Sequence, residues 1–376
     1  MWYRIEKQFK NQALKRLASL RPRRIRHGAA TERIDRILLI RQHDQFGDFL
    51  LTTPAIRALR GRFPDAHIDL VVRSYLYPIA KGNPDVDDVL VFHESAFSWK
   101  LRDISSFIKL MRQVTDLTIV FNTVSHSLSS DLIAWLSGAP VVMGPASPTF
   151  DHIDVNPFYT VSVPMDTEPK HQIQRNLDLV RHVGAETNDY SYTYTMSDEE
   201  RTRGNKVLER LIGKRQGHVL AVHFGTGDVR KRYPVEKLAR VCDRLSAALA
   251  VSILVIPAPG EDELFHALHE ATSSNLFCAP PTTLRNVAAI IRAADLLVCN
   301  DTGVLHLAAA VGTSTLSFHA TSDPAYWKPI GSQHRALYAV NQQIEHIPSD
   351  LICDEIIAML EGSYNRTPDS IIRISP

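Results

Sequence analysis

LLVCNDTGVLHLAAAVG, Leu296 to Gly312, decides how the rest of the chain is read. An apolar run from Leu296 to Cys299 stops at Asn300, Asp301, Thr302 and Gly303; Val304, Leu307, Ala308 and Val311 then recur at helical spacing. The pattern predicts a strand, a tight turn and a helix. Such a turn lies at the carboxyl end of a strand and the amino end of a helix, where unpaired backbone N–H groups and the positive end of the helix dipole favour an anion. Asp301 or Thr302 serves equally well as a helix cap, and capping does not exclude ligand binding.

Working outward, the same grammar recurs. In the first half, Ile37 to Ile40, His67 to Val72, Val89 to Phe92, Leu117 to Phe121 and Val141 to Met143 read as strands. Ala55 to Arg60, Ile104 to Met111, Leu128 to Leu136 and Lys170 to His182 read as helices. In the second half, His218 to His223, Val251 to Pro257, Leu296 to Asn300 and Thr315 to Phe318 are strand-like, while Val235 to Leu249, Glu261 to Glu270, Leu284 to Ala294 and Asp350 to Leu360 are helix-like. Short apolar runs separated by helices predict parallel βαβ units, hence an α/β fold. At 376 residues the chain exceeds what one core usually holds, so two doubly wound, Rossmann-like parallel-sheet domains facing a cleft are expected, with ligands at the carboxyl ends of the strands. The expected boundaries are an extension over 1–30, domains over 31–190 and 191–348, and a helix and tail over 349–376. TNDYSYTYTMSDEE, Thr187 to Glu200, reads as the interdomain region or as an edge strand.

Composition narrows the function. With 44% hydrophobic and 22% charged residues the chain is ordinary for a globular protein, and a net charge of +1 gives no general drive toward nucleic acid. Cys242, Cys278, Cys299 and Cys353 are scattered without a CxxC pair, so neither a zinc site nor a disulfide framework is indicated, and reduced thiols are expected. No apolar run is long enough to span a bilayer and the amino terminus lacks a signal-peptide core; a cytoplasmic location is expected. Met1 to His27 departs from this balance, with Arg4, Lys7, Lys10, Lys15, Arg16, Arg21, Arg23, Arg24 and Arg26 against Glu6 alone. Trp2, Ile5, Phe9, Ala13, Leu17 and Leu20 fall at helical intervals, the pattern of a helix lying on an anionic membrane surface. It reads equally as a solvated extension or as a helix packed on its own domain.

Two further strand ends carry chemistry. Ile37 to Ile40 runs into RQHDQFGDFLLTTPAIRALR, where Gly47 permits a tight turn and Asp48 follows at a helix start, as a cap or as a base facing the cleft; Thr52 and Thr53 precede Pro54. His218 to His223 ends in HFGTGDVRKRYP, where Thr226 and Gly227 suit phosphate oxygens and Arg230, Lys231 and Arg232 add positive charge, or form a solvated surface. There is no GxxxxGK[ST], and Arg230 interrupts a would-be GxGxxG, which weakens kinase and dehydrogenase readings. No clustered ligand set supports a metal-dependent mechanism.

FGDFLLTTPAIRALRGRFPDAHIDLVVR (Phe46 to Arg73), HFGTGDVRKRYP (His223 to Pro234) and NDTGVLHLAAAVGTSTLSFHATSDPAYWKPIG (Asn300 to Gly331) together resemble the landmarks of the lipopolysaccharide heptosyltransferases, glycosyltransferase family 9. The resemblance implies a GT-B fold and inverting, metal-independent transfer from ADP-heptose, a co-substrate, to the inner core of lipopolysaccharide. No cofactor is implied. It places the acceptor side in the first domain and the nucleotide sugar in the second, peripheral to the inner face of the cytoplasmic membrane. By motif, Asp48 is the general base, with Gly47, Thr52 and Thr53 in the acceptor-side loop. Lys231 lies at the diphosphate; Asp301, Thr302, Gly303 and His306 complete DTGxxH against the donor. An acid after Val251 to Pro257 takes the ribose, with Glu261 favoured over Asp262 and Glu263. Thr226, Gly227 and Arg230 join the donor site. The sequence departs from the family pattern at Tyr233, where tryptophan is frequent, at HFGTGD, and at His319, where glycine is usual. A family member with another nucleotide sugar or acceptor, and a non-catalytic nucleotide-sugar-binding assembly partner, are the alternatives. The charge logic fits a single displacement: one carboxylate takes the acceptor proton while cations offset charge on the leaving diphosphate.

Overall fold

Ile37, Leu38, Leu39 and Ile40 are apolar on both faces of their strand, a pattern stable only where helices cover both sides of the sheet, and all four are buried. They form the centre of a parallel sheet in the computed structural model, which describes residues 33–93, 98, 100–146, 156–166, 168–363 and 370–375. The basic amphipathic segment expected over 1–30 lies outside the described residues. The chain divides into two compact units, Met1–Tyr190 and Ser191–Pro376.

The first unit contains β1 (Arg36–Arg41), β2 (His67–Arg73), β3 (Asp88–Phe92), β4 (Leu117–Val120), β5 (Val141–Ala146) and β6 (Val161–Pro164) in the order β3-β2-β1-β4-β5-β6. All its pairings are parallel. The second contains β7 (His218–His223), β8 (Val251–Val255), β9 (Leu276–Cys278), β10 (Leu296–Asn300), β11 (Ser314–His319), β12 (His334–Ala339) and β13 (Ile371–Ile374) in the order β13-β12-β11-β10-β7-β8-β9, again parallel throughout. Each sheet is therefore doubly wound, and strand order reverses at β1/β4 in one and β7/β10 in the other. At such a reversal, two neighbouring loops diverge above the strand ends and leave a crevice.

Several elements go beyond the sequence reading. Helix Ser349–Glu361 buries Ile352, Cys353, Ile356 and Met359 in the second core, and β13 pairs with β12, so the terminal helix and tail are part of the second sheet's architecture. Thr187 to Glu200 pairs with no strand. Its end opens a helix, Asp198–Ile212, through a capping box in which Ser197 Oγ accepts from Glu200 N (3.3 Å) and Glu200 accepts from Ser197 N (2.9 Å). That helix packs on Leu284–Ala293 through Gly204, where an added Cβ would lie 2.2 Å from the Ala289 carbonyl oxygen. The four cysteines are free, and three of them are buried. No helix among the described residues is long and apolar enough to cross a membrane.

Both helix backbones must separate to admit a side chain at 204. Gly204→Ala should therefore destabilise the protein by about 1–3 kcal/mol, despite alanine's better helix propensity; urea unfolding measures it, and a neutral or stabilising substitution would contradict the packing. His334 gives a second test. It is buried beside Thr315 Oγ1 (3.0 Å), and burial, then Lys328 and His306, push its pKa down to about 3. An unfolded histidine titrates near ~6.5, so between those values only the unfolded chain takes the proton, and stability is lost as pH falls. The urea midpoint should drop from pH 6.5 to 4, at up to about 1.4 kcal/mol per pH unit from this group, and His334→Gln should flatten the slope.

Candidate functional site

At the β7/β10 reversal the loop after β7 is fastened to β10 by Asn300, which is fully buried. Its Nδ2 donates to the Phe224 carbonyl (2.6 Å) and its Oδ1 accepts from Tyr233 N (3.2 Å), gripping both ends of the intervening loop. Within that loop a 3-10 turn, Val229–Lys231, brings Lys231 Nζ to 2.6 Å from Asp301 Oδ2. Ser322 Oγ also donates to Asp301 Oδ2, and Lys231 Nζ lies 3.5 Å from Ser322 Oγ. Burial works against the Asp301 charge, but His319, Lys231 and Ser322 outweigh it and hold the carboxyl at about 2.

Thr302 is the N-cap of helix Gly303–Ala310, yet its hydroxyl makes no cap hydrogen bond; Thr302 Oγ1 is buried without a partner. The hydroxyl and the first-turn N–H groups of that helix follow directly on Asp301, the partner of Lys231, and are of a donor type suited to phosphate oxygens. His306, one turn further on, is buried and is held through Nδ1 by Tyr192 Oη (3.0 Å). Burial raises the Tyr192 pKa, so the phenol keeps its proton.

The other candidate residues of the second unit differ in placement. Thr226 Oγ1 donates to the Asp228 carbonyl (2.5 Å), while Gly227 has open space where a Cβ would be. Arg230 is 78% exposed and its fork closes on Asp228 (2.7 Å), so its charge is answered within the turn. Of the three acids after β8, Asp262 and Glu263 are exposed in a helix's first turn. Glu261 turns back toward the strand end, accepts from Ala258 N (2.8 Å) and lies against Gly225, where an added Cβ would be 1.8 Å from its carboxylate.

In the first unit, Asp48 is the third residue of helix Phe46–Leu50 and is half-buried. Its Oδ2 accepts from Gln45 N (3.0 Å), so the capping role is realised, and the adjoining groups fix it further. Arg41, buried at the end of β1, pairs with Asp44 (3.1 Å) and donates to the carbonyls of Phe121 and Asp48 (3.3 Å to the latter). Burial lowers the Arg41 pKa against the pull of Asp44 and Asp48, but a guanidinium stays charged. The left-handed residue of this turn is Asp44, φ 68°, whereas Gly47 is an ordinary helical residue. Thr52 and Thr53 are fully buried; their hydroxyls donate to the carbonyls of Asp48 (2.9 Å) and Leu50 (2.8 Å), bracing the Asp48 helix from beneath.

Arg41, Asp44, Asn300, His319 and Ser322 also bond at these strand ends, and sequence spacing gives little sign of them. The RxxDxxGD run, Arg41 to Asp48, is the one available signal for the first two. His319 lies at the end of β11 with Nε2 2.9 Å from Ser317 Oγ, and its Nδ1 is buried without a partner. His67, Asp69 and Asp88 also converge, at the amino ends of β2 and β3, but Arg36 already neutralises Asp69 (2.6 Å), and this is the opposite end of the sheet from Asp48.

The architecture and the strand-end groups can be set beside known proteins. The family description "Glycosyltransferase family 9 (heptosyltransferase)" matches residues 104–349. Lipopolysaccharide heptosyltransferase 3 of Escherichia coli is 25% identical over 308 residues, covering 79% of this chain and 86% of that protein. Among solved structures, the family 9 glycosyl transferase of Veillonella parvula superposes with a TM-score of 0.75 at 19% identity, covering 88% of this chain and 98% of that one. The E. coli heptosyltransferase WaaC with ADP gives a TM-score of 0.67 at 19% identity, covering 86% and 99%. The fold is GT-B, and the chain belongs to glycosyltransferase family 9, the heptosyltransferases, and is a glycosyltransferase.

Proposed function

We propose that this enzyme transfers a heptose from ADP-heptose to a lipopolysaccharide inner-core or related lipid-linked glycan, with inversion. The observation that carries the reading is the Lys231–Asp301 pair beside the partnerless Thr302 hydroxyl at a helix amino end, in a chain of this family. Lys231 and the Thr302–Gly303 turn hold the diphosphate, with Asp301 fixing the lysine and His306 supporting the turn's helix. Glu261 takes the ribose. Thr226, Gly227 and Arg230 complete the loop around the donor.

Asp48, of the first unit, receives the acceptor hydroxyl proton. The hydroxyl oxygen bonds to the anomeric carbon as the bond from that carbon to the diphosphate breaks, and ADP departs with the electron pair. Positive charge already in place at Lys231 stabilises that departure without reorganisation. Support for Asp48 comes from its place after glycine in the first landmark and from the braces described above; the family match over 104–349 begins after it.

A second reading, transfer of a different sugar or from a different nucleotide, is favoured by one observation. An imidazole, His319, sits beside Asp301 where the family usually has glycine, which changes the volume and hydrogen bonding next to the donor turn.

ADP release from ADP-heptose, with and without a heptose-deficient lipopolysaccharide, tests the proposal, and a panel of nucleotide sugars separates the two readings. Asp48→Asn should lower turnover about 100-fold or more while ADP binding by calorimetry is unchanged; near-normal turnover would remove Asp48 as the base. Lys231→Ala should lower turnover about 100-fold and weaken ADP binding, the scale of one preorganised charge. An unchanged rate there would contradict its diphosphate role.

A further inference from the structure

Helix Leu101–Arg112 is apolar on two sides. Leu110 is buried in the first core with Phe107 and Met111 packed against it, whereas Leu101, Ile104 and Ile108 are exposed, Leu101 at 87%. Steps of three and four residues align these three along one line of the helix, and Val114, 83% exposed, follows just beyond its end. Four of the ten large exposed hydrophobics among the described residues thus fall between 101 and 114. Single exposed apolar side chains are ordinary, but a line of them marks a contact surface.

Charge identifies the partner. Lys109 and Arg112 are exposed beside the line and Lys100 precedes it, while the helix's own acid, Asp103, is turned to His93 at 3.2 Å. The apolar face expected for residues 1–27 could cover the line, but that segment's nine basic residues against one acid would meet like charge. A second copy of the helix would bring the same cations against each other. An anionic bilayer surface satisfies both features, taking apolar side chains below its headgroups and Lys and Arg among them. We propose that helix Leu101–Arg112 is a membrane-docking face for anionic lipid, with Leu101, Ile104 and Ile108 inserted and Lys109 and Arg112 at the headgroups.

Co-sedimentation of the full chain with vesicles of phosphatidylglycerol and phosphatidylcholine, or of phosphatidylcholine alone, tests this. The triple variant Leu101→Ser, Ile104→Ser, Ile108→Ser and the double variant Lys109→Glu, Arg112→Glu are compared in the full chain, with residues 1–27 intact. Ile104 and Ile108 are 38% and 46% exposed, so the thermal unfolding temperature of the triple variant should fall only slightly and the fold should persist. Each variant should bind the anionic vesicles about tenfold more weakly, equivalent to roughly 1.4 kcal/mol. Unchanged binding by the triple variant would overturn the proposal, locating any lipid affinity elsewhere, residues 1–27 included. So would wild-type binding that is equal on both vesicle types. Light scattering supplies a third outcome: if the triple variant abolishes self-association while vesicle binding persists, the face joins copies of the chain and the lipid proposal falls.

Discussion

Asp301 keeps a negative charge where burial alone would neutralise it, and the geometry of the second unit's strand ends depends on how that is achieved. A buried carboxylate is tolerated only with partners at hydrogen-bonding distance, because desolvation costs several kcal/mol that only close opposite charge and donors offset. Lys231 comes from the loop after β7, Ser322 from the segment after β11, and Asp301 from the turn after β10. One charge therefore joins three strand ends. Asn300, immediately before it, performs the matching task for the backbone by gripping both ends of the β7 loop. The result is a cation fixed beside a helix amino end, an arrangement able to receive negative charge without reorganisation.

The first unit solves a similar problem with the signs exchanged. There the buried ion is Arg41, at the end of β1, and its fork joins the β1 loop to the carbonyl ending β4. Ser125 reaches across to Asp44, and Gln42 Nε2 lies within hydrogen-bonding distance of Ser127 Oγ (2.9 Å), Ser129 Oγ (2.7 Å) and Ser130 Oγ (2.9 Å), with two hydrogens to share among them. The two loops at this reversal are consequently one hydrogen-bonded body, and Asp48 stands on it. Asp44 adopts a backbone conformation uncommon for a side-chain-bearing residue, although aspartate tolerates it better than most. Its ion pair with Arg41 holds it there.

Most of this scaffold is legible in the chain because parallel strands covered on both sides must be continuously apolar, as Leu296 to Cys299 and Ile37 to Ile40 are. Elements that lack that constraint were invisible. β12 begins His-Arg, β13 is an edge strand of four residues, and β6 and β9 are shorter than the usual strand signal. Helix Asp198–Ile212 was hidden by its charge and by Gly204, which looks like a helix breaker and is instead the point of closest packing. Motif spacing singled out Asp48, Lys231 and the Asp301–Gly303 turn as candidates, but it could not show which groups pair. Arg230 resembles a phosphate ligand in sequence and closes on Asp228 in space; Ser322 has no sequence signal and reaches Asp301. Such pairings depend on loops returning from different strands, information that local periodicity does not contain.

The contact of Glu261 with Gly225 has an evolutionary side. Because the carboxylate fills the volume a side chain at 225 would need, the two positions do not vary independently. A homologue with a residue larger than glycine at 225 must shorten or redirect the residue at 261, and one that loses the acid at 261 is released from the requirement for glycine. The two positions should therefore change together in related chains, as one character rather than two.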